Sequence, residues 1–159
     1  MANNNHNLDK IDLRILKILQ SNGRITNLQL SNEIGLSPAP TLERVKKLEK
    51  SGLIKSYHAE LDKVELGLGI HTYMQITLLR HKSNAIQNFE NQMNAIEEIV
   101  EVHHVTGGSD YLVKILCRDM QAYERLIMDK LSRIEEIGHM QTHVVLSTVK
   151  KTNVLPLEY

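Results

Sequence analysis

The sequence predicts an α+β fold in two parts, and three observations carry that reading. Apolar residues recur at helical spacing between Asp9 and Lys50, Gly67 and Gly69 then punctuate the chain, and from Ile70 the apolar period runs strand, helix, strand, strand, helix, strand. At 159 residues the chain fits one ordinary domain or two small ones with packed cores. The formal charge is zero, but nine Lys/Arg against six Asp/Glu give residues 1–60 a charge of +3, and ten against thirteen give residues 61–159 a charge of −3. That asymmetry points the first part toward an anionic partner.

Residues 1–7 are polar and Asn-rich and are expected to form a disordered tail. Asp9 is placed to cap a first helix whose broad stripe is Ile11, Ile15, Ile18 and Leu19, widened by Leu13 and Leu16, with Gly23 placed to end it. In "TNLQ", Thr26 and Gln29 form the reciprocal capping box of a second helix that stops at Gly35. Only Gly35, Leu36 and Ser37 separate it from a third, the spacing of a helix-turn-helix. In "IKSYHAELD", Tyr57, Ala59 and Leu61 alternate with polar residues as on a half-buried strand, which would complete a winged module over residues 8–60. Residues 61–69 then form a hinge.

Beyond the hinge, Ile70, Thr72, Met74, Ile76 and Leu78 share one face of a strand, and Ser83 precedes a helix bearing Ile86, Phe89, Met93 and Ile96. "IVEVHHVT" and "DYLVKILC" are strands joined through Gly107, Gly108 and Ser109. Asp119 caps a helix with Tyr123, Ile127, Leu131 and Ile134, and "HMQTHVVLSTVK" is the last strand. This βαββαβ order is that of a ferredoxin-like sandwich over residues 70–159.

The third helix opens "SPAPTLERVKKLEK" with two of the chain's three prolines. Inside a helix each would cost about 3 kcal/mol. With Ser37 as N-cap, Pro38 is the first and Pro40 the third helical residue, where the N–H groups have no intrahelical acceptor to lose. A step of 100° per residue puts Thr41, Leu42, Val45, Leu48 and Glu49 on or near the inward side and Ala39, Pro40, Glu43, Lys47 and Lys50 outward, with Arg44 and Lys46 flanking. Small residues at the tip and cations along the body suit the major groove of double-stranded DNA. A basic helix face on its own is usually only solvated; the capped helix, the Gly turn and the following strand favour nucleic-acid binding.

From Leu8 to Asn153 the chain resembles the leucine-responsive regulatory protein/AsnC, or feast/famine, family of transcription regulators. "LDKIDLRILKILQSNGRITNLQLSNEIGLSPAPTLERVKKLEKSGLIKSYHAELD", "VTGGSDYLVKI", "DMQAY" and "THVVLSTVK" carry the resemblance, most specifically "GLSPAPTLERVKKLEKSGLI". It implies an N-terminal DNA-binding unit and a C-terminal sandwich that senses a small amino acid and oligomerises, as dimers that assemble further, commonly to octamers. It also implies DNA contacts at Ser37, Ala39, Pro40, Glu43, Arg44 and Lys47. Lys46 and Lys50 are expected on phosphates, and Arg44, Glu43, Lys47 and the Ala39/Pro40 tip on base edges.

A Gly-rich turn ending in a carboxylate has the chemistry to hold a free amino acid, with N–H groups for its carboxylate and a negative charge for its ammonium. "GGSD" has that composition, though by itself such a turn is usually only a turn. The positions that match the family's effector site are Gly107, Gly108, Asp110, Met120, His143, Val144 and Val145. His143 stands where leucine-responsive members tend to have tyrosine, and Gly108 where an acidic residue is frequent, so leucine is only the first expectation for the effector.

No catalytic set, cofactor or metal site is expected. Cys117 is the sole cysteine and reads as a core residue, His103 and His104 point to opposite strand faces, and His139 and His143 sit about 13 Å apart. No uncharged apolar run approaches the roughly 18 residues of a membrane span, and the polar N-terminus does not read as an export signal, so a cytoplasmic location is expected. Two alternatives stay open: an amino-acid-sensing module that acts on a partner protein, and an RNA-binding sheet, for which Tyr73 and Tyr111 offer no recognisable stacking motif.

Overall fold

A computed structural model describes residues 8–157; the tail expected over residues 1–7 lies outside them. Contacts divide the chain into two compact units: residues up to Glu60 together with those from Lys150 onward, and Leu61–Val149. That grouping differs from the expected boundaries on two points. The segment from Lys150 belongs with the N-terminal unit and not with residues 70–149, and residues 61–69 group with the sandwich.

In the first unit, α1 (Lys10–Ser21), α2 (Asn27–Ile34) and α3 (Pro38–Lys50) enclose a core of Ile15, Leu16, Leu30, Ile34 and Leu48. Asp9 caps α1 in a reciprocal box with Asp12, and Thr26 caps α2 with Gln29, as the sequence implies for both caps. Gly35 ends α2 in the left-handed region at φ 74°, which a residue with a Cβ adopts only under strain. Gly23 has no positive φ; α1 ends at Asn22, and the glycine leaves room for the Tyr57 ring, whose Cδ1 would lie 3.3 Å from an added Cβ.

The strand expected in residues 54–62 does not form, because no neighbouring strand offers it a ladder among the described residues, and Tyr57, Ala59 and Leu61 stay exposed. The extended C-terminal segment instead covers part of α1. Leu157 packs against the helical core, Gln20 Oε1 accepts from the Leu155 N–H at 2.6 Å, and Lys151 pairs with Glu60.

In the second unit, β1 (Ile70–Leu78), α4 (Ser83–Asn94), β2 (Ile99–His104), β3 (Tyr111–Cys117), α5 (Met120–Arg125) and β4 (Ile137–Val144) build an antiparallel sheet in the order β2-β3-β1-β4. That order and the βαββαβ succession are the ferredoxin-like arrangement that the periodicity predicts. Thr72, Met74, Ile76 and Leu78 of β1 alternate inward with Val113 and Ile115 of β3, and Phe89 and Met93 of α4 cover them.

Three local expectations are corrected. Lys82 and not Ser83 is the N-cap of α4. After Arg125 the second helix continues as a π-helical stretch, Leu126–Lys130, and a 3-10 turn, Leu131–Arg133; this resets the helical phase and buries Leu126, which the expected stripe omits. β4 ends at Val144, although the Val145 N–H still donates to the His71 carbonyl at 2.9 Å.

Candidate nucleic-acid interface and sensing site

The recognition helix starts where the proline count places it. Ser37 is the N-cap with extended backbone, Pro38 is the first helical residue, and the Ser37 side chain makes no capping bond. The tip is held by its backbone carbonyls: Asn27 Nδ2 donates to Pro38 O at 2.8 Å and Thr41 Oγ1 to Ser37 O at 2.9 Å, with Thr41 fully buried as the phasing predicts. Ser37, Ala39, Pro40, Glu43, Lys46, Lys47 and Lys50 are all exposed. Glu43, Lys46, Lys47 and Lys50 line one shallow hollow along the helix, with Glu43 and Lys46 paired at 3.5 Å. Lys47 and Lys50 also occupy the last turn, where their charge favours the helix dipole. Leu42, expected as an anchor, is 41% exposed; Val45 and Leu48 hold the helix with Thr41.

Arg44 does not project free toward a ligand. Its Nη1 donates to Asp9 Oδ2 and to Asp12 Oδ1, both at 2.7 Å. The same two carboxylates form the α1 cap: Asp9 Oδ1 accepts from the Ile11 and Asp12 N–H groups at 2.9 and 2.8 Å, and Asp12 Oδ2 accepts from Asp9 N at 3.4 Å. One guanidinium thus ties the start of α1 to the middle of α3. The Asp12 amide first, and Arg44 second, hold the Asp9 carboxyl below its usual range, while Asp9 and Asp12 push the Arg44 guanidinium up. Asp12, which the sequence reading did not single out, was legible as the second acid of an Asp-x-x-Asp cap.

The residues expected around the effector separate into two groups. Gly107, at φ 124°, and Gly108 lie in the β2–β3 turn, closed by the Val105 N–H on Asp110 O at 2.9 Å, and the Asp110 N–H donates to Ile76 O near the end of β1. His143, Val144 and Val145 lie beside Tyr73, Thr72 and His71 near the start of β1. Met120 opens α5 just beyond Cys117, which pairs with Ile70 at that same end. Five residues of strand, from His71 to Ile76, place the groups about 17 Å apart along β1. A single chain therefore does not close them around one small ligand.

Asp110 is also engaged. Its Oδ2 accepts from the Leu78 N–H at 2.7 Å and its Oδ1 faces His81 Nε2 at 2.9 Å, a pairing that the sequence reading missed because the partners are 29 residues apart. The Leu78 N–H, and to a lesser degree His81, hold the Asp110 carboxyl below its ordinary range. Cys117 is buried as expected, and burial pushes its thiol up. His103 faces Glu101 at 3.3 Å while His104 stacks on Tyr111 at 4.9 Å, on opposite strand faces. Among the described residues no group of three or more His, Cys, Asp or Glu could hold a metal ion, and no helix is long and apolar enough to cross a membrane.

Known proteins resemble the chain in both units. The winged helix-turn-helix DNA-binding family matches residues 8–55, and the Lrp/AsnC ligand binding domain matches residues 72–155. The leucine-responsive regulatory protein of Haemophilus influenzae is 44% identical over 97% of this chain and 93% of its own length. That of Escherichia coli K12 is 40% identical over 95% and 92%. Among solved structures, a transcriptional regulator of Neisseria meningitidis in complex with L-Met superposes with a TM-score of 0.90 at 34% identity, covering 94% of this chain and 96% of that one. An AsnC family transcriptional regulator from Agrobacterium tumefaciens gives 0.88 at 28%, covering 94% and 97%. With a capped helix-turn-helix, a ferredoxin-like sheet and relatives that align over nearly its whole length, the chain belongs to the Lrp/AsnC family of transcription regulators.

Proposed function

We propose that the chain regulates transcription by inserting α3 into the DNA major groove and that an apolar amino acid, leucine or methionine, modulates that binding. The single observation that carries the DNA half is the exposed α3 face: a tip of Ala39 and Pro40 fixed by Asn27, and a cationic body of Lys46, Lys47 and Lys50. Lys46 and Lys50 meet phosphates, and Glu43 and Lys47 read base edges beside the tip and Ser37. Arg44 acts mainly as the clasp that sets the helix angle. Binding and not catalysis is the activity, in keeping with the family.

The 17 Å separation along β1 supports a sensing site completed between copies of the chain, with Gly107, Gly108 and Asp110 from one copy facing Met120, His143, Val144 and Val145 of another. Homodimers that assemble further, to octamers, would supply such an interface in the cytoplasm. Paired units would favour palindromic half-sites about 34–36 Å apart, or multiples of that spacing. The choice of leucine or methionine rests on the relatives named leucine-responsive and on the Neisseria complex with L-Met.

The test is to measure duplex-DNA affinity and oligomer size with each free amino acid in turn. Leucine or methionine should change both, and no response to any amino acid would refute the sensing half. A preference for single-stranded RNA over duplex DNA would refute the other.

A further inference from the structure

Helix α1 is gripped at both ends. At its start, Asp9 and Asp12 hold Arg44 of the recognition helix at 2.7 Å each. At its end, Gln20 Oε1 accepts from the Leu155 N–H at 2.6 Å, Gln20 Nε2 donates to Leu155 O at 3.4 Å, and Leu157 lies on the helical core. Two bonds from one side-chain amide to one backbone residue hold an extended segment in a single register, as a neighbouring strand would. Asp12 and Gln20 are about 12 Å apart along the helix axis.

The segment that Gln20 holds is the direct continuation of β4. Of three expected effector residues, His143 and Val144 close that strand and Val145 follows it. Between them and Lys150 the chain has no regular structure, and Leu146 and Val149 are 96% and 98% exposed. The connector is short and makes few contacts of its own, so no packed element stands between the end of β4 and the segment that Gln20 holds.

We infer that the C-terminal segment is a coupling strap and α1 its lever: a change at the end of β4 reaches α3 through Leu155, Gln20 and the Asp12–Arg44 clasp. Gln20 is a positioning residue for effector-responsive DNA binding and touches neither ligand. This rests on the proposed sensing role of residues 143–145, and it adds the route by which the two units communicate, with the strap as a second covalent connection beside the junction at Glu60 and Leu61. The bonds at both ends of α1 define the contacts that such a coupling would have to make and break, and a response of both ends to one perturbation is what the test reads.

The test uses the full-length chain with L-leucine and L-methionine as probes and two independent readouts. In the first, an amino-acid-induced change in DNA affinity of the usual size, about 5- to 150-fold, should fall below about twofold in Gln20→Ala and in a chain ending at Lys150. The affinity for the amino acid in the absence of DNA should not change. Gln20→Glu, which keeps an Oε1 acceptor for the Leu155 N–H, should retain the coupling. A purely structural role for Gln20 would instead lower DNA affinity equally with and without the amino acid, and variants that respond like the parent chain overturn the inference.

The second readout is amide exchange without any ligand. Loss of the strap should raise exchange at the end of α1 and also around Arg44 in α3, while the sheet stays protected. A rise confined to the last turn of α1 overturns the inference. If the parent chain responds to no amino acid, the sensing proposal fails on its own and amide exchange alone decides whether the lever exists.

Discussion

Replacement of Arg44 by alanine separates two readings of the recognition helix. The sequence places Arg44 at the flank of the outward face and assigns it to base edges; the structure gives it two carboxylates at 2.7 Å. Removal leaves Asp12, only 6% exposed, with the Asp9 N–H at 3.4 Å as its remaining partner. Breaking a fully buried pair costs about 3–5 kcal/mol and an exposed one about 0.2–1. The Arg44 side chain is 30% exposed and that of Asp9 51%, so solvent screening moves the expectation toward the lower figures, to about 2 kcal/mol. For a domain of this size that is about 10 °C in melting temperature, or a factor of about 30 in amide protection across α1 and α3. Because a chain of two compact units is not expected to unfold in one step, exchange resolved by peptide is the right assay. Arg44→Lys, which keeps the charge and loses the planar fork, should fall between the two. A chain with Arg44→Ala that keeps its protection and loses about 1–3 kcal/mol on specific DNA alone would refute the clasp and restore Arg44 as a base reader.

Acid should loosen the same clasp. The Asp9 carboxyl is held below its ordinary range in the fold, so its contribution is complete above the unfolded value near 3.9 and is lost as pH falls through the lower folded value. An acid titration followed at α1 should therefore be flat above about pH 5 and fall below about pH 4, and Asp9→Asn should flatten that fall. Lys46→Ala and Lys50→Ala should each weaken binding about equally on specific and random DNA and reduce the salt slope by about 1; an unchanged slope would place the residue off the phosphates. Phe89→Ala, at a fully buried site over β1 and β3, should destabilise the sandwich by about 3–5 kcal/mol and leave the protection of α1 to α3 unchanged, which calorimetry with exchange would show.

How far the sequence carries depends on whether a feature is local. The cap at Asp9, the capping box at Thr26, the Ser37–Pro38 helix start, the helix stop at Gly35 and the inward face of β1 are each set by residues within a few positions of one another, and all stand where the sequence places them. Features that needed long-range partners were not legible. The Arg44 clasp spans 32 residues, the His81–Asp110 pair 29 and the Gln20–Leu155 bonds 135. The strand expected in residues 54–62 failed for the same reason in reverse: alternation specifies a face, but only a neighbour completes a ladder. In the second helix the π-helical stretch breaks the 3.6-residue period on which stripe reading depends, and so hid Leu126. For the sensing residues the composition of "GGSD" marks a turn with ligand chemistry, yet nothing in the sequence shows that its matched partners stand at the other end of β1.

Asp110 decides what that turn can still do for a ligand. Both its oxygens are engaged, by the Leu78 N–H at 2.7 Å and by His81 at 2.9 Å, which at first leaves no place for an ammonium group. A carboxylate has about four lone-pair sites, however, and two neighbours use only two of them. The Leu78 bond fixes the carboxylate against β1 from behind, and a fixed charge needs no reorganisation when a cation arrives. His81, at 61% side-chain exposure, stands on the solvent side as a removable neighbour. Asp110→Asn keeps an acceptor for Leu78 and removes the charge, so it should leave the fold and effector-free DNA affinity in place. Affinity for the amino acid should fall by about 1.5–3 kcal/mol, the usual worth of a hydrogen bond to a charged group, or roughly 10- to 150-fold in a calorimetric titration. Equal affinity in the two proteins would make Asp110 a clamp for the end of β1 and require the ammonium to find its counter-charge elsewhere.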